Sequence, residues 1–305
     1  MKKKVATVVL NWNRWKDTIS CLESLSHVDA FSFNLEVLVV DNASSDDSIH
    51  KLEEFKKKFD FKLIKNAYNL GFAEGNNVGL RYAISKGFDY VMVLNNDTLV
   101  DRKIFSYLLS VFEDNRRVGV VSPKIYFAKG FEFHKERYST RDLGKVIWYA
   151  GGKVDWDNVM GINSGVDEVD QGQFEEIKEV DFATGCSSIF SVSVLKKIGL
   201  YDKRYFMYFE DVDLSLRIKK AGYKVMFQPK GIVWHKVAQS SGIGSDLNDY
   251  FISRNRLLFG FKYAPTRTKM ALFRESLRFL LRGRKWQKIG VRDFYLGKFE
   301  KGSWK

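Results

Sequence analysis

Tyr90-Val91-Met92-Val93-Leu94 runs straight into Asn95-Asn96-Asp97. Five apolar residues in a row read as a strand of a parallel sheet covered on both faces, and the polar triplet delivers a carboxylate to the end of that strand. The same design recurs upstream. Val5-Ala6-Thr7-Val8-Val9-Leu10 leads into Asn11, the aliphatic stretch 35–40 leads into Asp41-Asn42, and Phe61-Lys62-Leu63-Ile64 leads to Asn66 and Asn69. Helical stretches lie between them: 16–25 carries Ile19, Leu22 and Leu25 on one face, and 47–59 carries Ile49, Leu52 and Phe55. Alternating strands and helices imply right-handed crossovers, so all four strands should point the same way. Asn11, Asp41, Asn69 and Asp97 should then converge on one sheet edge, which in open α/β sheets is where ligands bind.

Composition narrows the classes. With 305 residues, 45% of them hydrophobic, the chain supports one large or two fused domains around a substantial core. Two cysteines, Cys21 and Cys186, are too few for a disulfide framework, and no signal peptide with a charged start and a small-residue cleavage site is recognised at the N-terminus, so the expected compartment is the cytoplasm. The longest uncharged run, 182–195, is shorter than the ~18–20 apolar residues of a membrane span. The net charge of +13 is concentrated: residues 254–305 hold 15 Lys/Arg against 3 Asp/Glu, which leaves the rest of the chain close to neutral. Within that basic stretch Met270, Phe273, Leu277, Leu280 and Leu281 fall at helical spacing beside Arg274, Arg278 and Arg282, with Trp286 just beyond. Such a helix suits an anionic membrane surface, or equally a solvated helix docked on the body. No DNA- or RNA-binding module accompanies the charge, so nucleic acid is not an expected partner.

The strand ends suggest chemistry. A carboxylate at Asp97, among the amides of Asn95 and Asn96, can hold Mg²⁺ or Mn²⁺ while phosphate oxygens complete the octahedron, which makes a nucleoside diphosphate the expected ligand. Asp41 is placed to hydrogen-bond a base or ribose. The segment 69–79 adds Asn69, Gly71 and Asn76, glycines for close backbone approach and amides for contact, although Asn and Gly also serve ordinary turns. Downstream, Tyr205-Phe206-Met207-Tyr208-Phe209 precedes Glu210-Asp211-Val212-Asp213. Residues 212–221, closed by Gly222, read as a helix whose first turn carries Glu210, Asp211 and Asp213. Acids there complement the macrodipole of any helix, but a carboxylate beside an aromatic wall is also desolvated and becomes a better general base. His235 ends the strand-like run Gly231-Ile232-Val233-Trp234 as a candidate nitrogen ligand, which tilts the preference toward Mn²⁺, and Gln239-Ser240-Ser241-Gly242-Ile243-Gly244-Ser245 reads as a lid. Trp148, Tyr149 and Trp156 offer faces suited to sugar rings or to core packing. Glu210, Trp148 and Trp234 are expected on the acceptor side.

Taken together, Val8-Val9-Leu10-Asn11-Trp12-Asn13, Val39-Val40-Asp41-Asn42-Ala43-Ser44-Ser45-Asp46, Asn69-Leu70-Gly71-Phe72, Gly75-Asn76-Asn77, Leu94-Asn95-Asn96-Asp97-Thr98, Asp181-Phe182-Ala183-Thr184-Gly185, Phe209-Glu210-Asp211-Val212-Asp213-Leu214 and Trp234-His235-Lys236 resemble an inverting family 2 glycosyltransferase of the GT-A fold, most closely the rhamnosyltransferase-like branch. The resemblance implies an α/β fold with a mostly parallel central sheet flanked by helices. It divides the chain into a nucleotide-sugar-binding half (1–98), an acceptor and catalytic half of the same fused domain (99–250) and a basic amphipathic C-terminal tail (251–305). It also implies that Asp41 contacts the nucleobase, Asp97 is the metal acid of the family's D-x-D element, Asp211 is the base and His235 the late metal ligand. Asn95 stands where that element has its first acid, so one metal carboxylate of the pattern is absent.

The expected reaction is a single displacement on a nucleotide-diphosphate sugar, dTDP-rhamnose by resemblance with UDP-hexose as the alternative. The acceptor would be a saccharide or lipid-linked saccharide of cell-surface polysaccharide synthesis, met at the inner face of the plasma membrane. A nucleotidyltransferase shares the sheet and the acids but needs a glycine-rich basic loop after its first strand, and Asn11-Trp12-Asn13-Arg14-Trp15 has no glycine. An inactive nucleotide-sugar or glycan-binding module is the non-enzymatic alternative. Linkage and oligomeric state are set by shapes that motifs do not encode.

Overall fold

The computed structural model describes residues 2–237 and 244–304. In chain order the elements are β1 (Lys3–Asn11), α1 (Trp15–Ser26), β2 (Phe33–Asp41), α2 (Ser48–Phe55), β3 (Lys62–Lys65), α3 (Gly71–Ser85), β4 (Tyr90–Asn95), β5 (Thr98–Val100), α4 (Ile104–Asp114), β6 (Val118–Phe127), β7 (Ile147–Tyr149), β8 (Gly152–Asp155), β9 (Met160–Asn163), β10 (Lys178–Glu179), β11 (Ser187–Ser191), α5 (Val192–Ile198), α6 (Glu210–Lys220), β12 (Lys224–His235), α7 (Asp246–Tyr263), α8 (Thr266–Arg282) and α9 (Lys285–Tyr295).

One sheet organises the molecule, in the order β10-β12-β6-β11-β4-β1-β2-β3, with β5 on β12 and β7 on β6. β1 pairs in parallel with both β2 and β4, and β2 with β3, so the four apolar runs share one direction. Val5, Val8, Val9, Val37 to Val40 and Val91 to Leu94 are buried, as strands covered on both faces require. β3 is different: it is a four-residue edge strand with exposed ends, and Phe61 just ahead of it supplies the buried side chain. The sheet is mixed, because β11 runs antiparallel between β4 and β6. β12 pairs in parallel with β6, which brings His235 to the same edge as the ends of β1, β2 and β4. A two-stranded hairpin, β8-β9, stands apart from this sheet.

The basic C-terminal segment is helical as expected, yet it is not a free tail. Residue 251 falls inside α7, where Tyr250, Phe251, Arg254, Asn255 and Phe259 are buried, and α7, α8 and α9 pack on one another. Most of the expected lid at 239–245 lies outside the described residues.

Candidate active site

The ends of β1, β2 and β4 are tied by a chain of polar side chains. Asn96 donates Nδ2 to Thr18 Oγ1 (2.9 Å), Thr18 donates to Asn11 Oδ1 (2.7 Å), and Asn11 donates Nδ2 to Asp41 Oδ1 (2.7 Å). Asp41 also accepts the Ser44 amide (3.0 Å) and hydroxyl (2.6 Å). Its carboxylate is therefore almost sealed, with three of about four acceptor positions filled. Asp41 shapes the 43–45 turn, where Ala43 takes φ 60°, from beneath.

Asn69 is likewise internal: its Oδ1 accepts from Asn42 Nδ2 (2.9 Å) and the Gly71 amide (2.8 Å). Gly71 opens α3 at φ 76°, and a Cβ there would land inside the Phe206 ring, so only glycine fits. Asn76 donates to the Phe72 carbonyl (2.9 Å), and its buried Oδ1 has no partner among the described residues.

The second centre forms where β5 returns along β12. Pairing of Thr98 with His235 puts Asp97 Oδ1 3.1 Å from His235 Nε2, and the Lys236 amide donates to the Asp97 carbonyl (2.8 Å). Apart from that imidazole nitrogen, the buried Asp97 Oδ1 has no partner among the described residues. Burial opposes a charge on His235, Cys186 and Asp97 favour one, and the balance moves its pKa upward. Among the described residues no three His, Cys, Asp or Glu side chains gather as a metal cage. Asp97 and His235 suit instead a divalent ion held by two protein groups and completed by diphosphate oxygens and water. Trp148 stands edge-on to His235, ring centroids 4.7 Å apart.

Asp211 lies across the backbone segment 184–186 from this pair. Its Oδ2 accepts the Gly185 amide (2.8 Å) and its Oδ1 the Val212 amide (2.8 Å). Burial pushes the Asp211 pKa up against those two bonds. The Cys186 thiol is also pushed up by burial; His235 opposes the shift, while Asp97 and Asp211 add to it, which places both acids around one residue. An open cleft of about 190 Å³, lined by Trp148, Thr184, Phe209, Glu210, Asp211 and Ile252 among others, gives Asp211 access to a ligand. Glu210 is buried, its Oε2 has no partner among the described residues, and burial with the adjacent Asp211 raises its pKa well above the carboxylate range.

Three aromatic residues ahead of α6 take a positive φ: Phe206 (φ 66°), Tyr208 (φ 68°) and Phe209 (φ 73°). Non-glycine residues held there cost on the order of 1–3 kcal/mol each and persist only where the surroundings over-determine them. Asp213, by contrast, points away from the cleft. It is buried and accepts from Arg217 (2.8 Å), Lys262 (2.6 Å) and Tyr263 (2.9 Å).

The expected site residues are thus sorted by position. Asp97, His235, Trp148, Asp211 and Glu210 gather around 184–186, and Asn11, Asp41 and Asn96 form the adjoining polar floor. Trp234 faces the other side of β12, where its indole donates to the Gly144 carbonyl (3.1 Å), so it does not line the Asp211 cleft. Tyr149 and Trp156 pack internally, Tyr149 donating to the Phe182 carbonyl (2.7 Å) and Trp156 stacking on Phe259. Asp181-Phe182-Ala183-Thr184-Gly185 is among the stretches that carry the resemblance, but no role at the site was expected for the Gly185 amide or for Cys186.

The model of the family described as glycosyl transferase family 2 matches residues 7–199. Poly-β-1,6-N-acetyl-D-glucosamine synthase of Staphylococcus epidermidis is 25% identical over 229 residues, 74% of this chain and 48% of that protein. The chain therefore spans about half the length of that relative. A low-salt glycan biosynthesis hexosyltransferase of Haloferax volcanii is 23% identical over 260 residues, 85% of this chain and 76% of that one. Among solved structures, GalNAc-T7 with UDP, GalNAc and Mn²⁺ superposes with a TM-score of 0.65 at 18% identity, covering 97% of this chain and 57% of that one. That likeness establishes the shared fold.

Proposed function

The chain belongs to glycosyl transferase family 2, and from that premise we propose that it moves a sugar from a nucleoside-diphosphate sugar to a hydroxyl of a saccharide acceptor, with inversion. The observation that carries this reading is Asp211: a carboxylate with a raised pKa, fixed by the Gly185 amide, at the wall of an open cleft and across 184–186 from Asp97 and His235. Asp211 takes the proton of the acceptor hydroxyl, that oxygen bonds to the anomeric carbon from the face opposite the leaving group, and the bond to the diphosphate breaks with its electron pair leaving on phosphate. Asp97 and His235 would hold Mn²⁺ or Mg²⁺, whose charge favours diphosphate departure. Asn11, Asn96 and the 43–45 turn over Asp41 support the nucleoside.

The motif set favours dTDP-rhamnose. UDP-linked hexoses are the competing donors, because the curated relatives are named for N-acetylglucosamine and hexose transfer and the superposed structure holds UDP. A lipid-linked acceptor agrees with α8, whose Met270, Phe273, Leu277 and Leu281 are 55%, 46%, 44% and 76% exposed along one stripe. Nucleoside-diphosphate release from a panel of donors tests the reading. Asp211→Asn should lower turnover by about 10²–10⁴-fold with nucleotide affinity unchanged. Loss of nucleotide binding in that variant would make Asp211 a binding acid and overturn the assignment.

A further inference from the structure

The turn that presents Asp211 is held from outside the catalytic half. Asn255, on α7, donates Nδ2 to three carbonyls at once: Tyr205 (2.8 Å), Met207 (2.7 Å) and Tyr208 (3.0 Å). Three carbonyls drawn from four consecutive residues converge on a single amide only if the chain folds back on itself, which the positive φ of Phe206 and Tyr208 accomplishes. The amide is oriented by its neighbour, because Arg254 Nε donates to Asn255 Oδ1 (3.0 Å) and leaves the NH₂ aimed at the turn. Arg254 NH2 adds bonds to the carbonyls of Arg204 (3.2 Å) and Tyr205 (3.0 Å). Both side chains are wholly buried. Eight residues along the same helix, Lys262 and Tyr263 grip Asp213, one helical half-turn beyond Asp211. α7 therefore holds the segment both before and after the base.

We propose that Arg254 and Asn255 are positioning residues for Asp211: α7 is a clamp that keeps the left-handed 206–209 turn in the one conformation that aims this carboxylate into the acceptor cleft. The proposal rests on the reading of Asp211 as the base. Neither residue touches the cleft that contains Asp211, so the clamp acts on the transition state through geometry alone. A carboxylate displaced by about 1 Å loses on the order of 10²-fold in rate, while the donor floor at Asn11, Asp41 and Asn96 is untouched.

The experiment is a double-mutant cycle on the full chain. Asn255→Ala removes the donors, and Asn255→Asp keeps the shape without the NH₂; Tyr208→Gly relieves the left-handed cost in the turn itself. Active enzyme is counted by nucleotide titration. Each Asn255 variant should lower kcat by about 10²-fold with donor KM and nucleotide Kd within about twofold. In the Tyr208→Gly background the same substitution should cost several-fold less, because glycine enters the turn conformation unaided. If kcat per folded molecule is unchanged while only the melting temperature falls, or if the two substitutions add without coupling, the clamp is purely structural and the proposal fails. Should Asn255→Ala not fold, Asn255→Asp and the Tyr208→Gly pair still decide the outcome. Failure of the base assignment is separate: it would appear as full turnover in Asp211→Asn, whatever the Asn255 variants do.

Discussion

Glu210 and Asp211 are adjacent carboxyls at the start of one helix, yet their surroundings give them different work. Both line the cleft, but Asp211 has two amide donors, whereas Glu210 has deep burial, an oxygen without a partner among the described residues and a like charge beside it. Burial first, and the neighbouring Asp211 second, raise the Glu210 pKa in the fold above its value in the unfolded chain. A folded pKa raised above the unfolded value means the native state binds the extra proton, so the Glu210 contribution to stability is fully present below about pH 4.3 and is lost as pH rises from there through the folded value. Glu210→Gln keeps the neutral shape and abolishes that dependence. Its melting temperature should exceed that of the parent at pH 7–8 and converge with it in acid, read by thermal denaturation across pH. An unchanged difference at every pH would mean that Glu210 ionises normally in the native state. The aromatic run ahead of these acids was legible in the sequence as a desolvating wall, because burial follows from local composition. Which of the two carboxyls receives amide donors was not, since Gly185 lies 26 positions away.

At the level of elements, the convergence of four strand ends was legible, because apolar runs and crossover handedness fix direction without any tertiary information. The antiparallel β11 between β4 and β6 was not legible, and neither was the clamp: its partners are about 50 residues apart in sequence, and no periodicity reports such a distance. Concentrated positive charge made 251–305 read as a basic tail, whereas Arg254 is spent inside the protein on backbone carbonyls and on the rings of Tyr250 and Phe251. The start of α3 shows what a single position can control. Gly71→Ala should destabilise by about 1–3 kcal/mol from the left-handed conformation alone, and by more through the collision with Phe206, and it should weaken nucleotide binding in proportion. Chemical denaturation with nucleotide titration checks both. Retention of full stability would show that Phe206 can yield.

For the molecule as a whole, positive charge is concentrated on the C-terminal helices, and one of them also carries an exposed apolar stripe. None of the described helices is long and apolar enough to cross a membrane, but α8 turns a stripe of Met270, Phe273, Leu277 and Leu281 outward beside Arg274, Arg278 and Arg282 rather than onto the body. Membrane contact through this face should appear as co-sedimentation with vesicles containing anionic lipid, weakened by salt and absent with neutral lipid. Removing 263–305 would be a poor test, since it would strip Tyr263 from Asp213 and uncover α7. Replacing Phe273, Leu277 and Leu281 by serine should abolish vesicle binding with turnover on a soluble acceptor retained; equal sedimentation would refute the contact. A last consequence follows from Phe206. Its ring fills the space a side chain at Gly71 would need, and its carbonyl receives the Ala73 amide at 3.0 Å. Recombination between relatives at a crossover near residue 98 would part these two surfaces. A hybrid made to exchange donor preference should inherit 71–73, 204–209 and 254–255 from one parent, or its two halves will not mate.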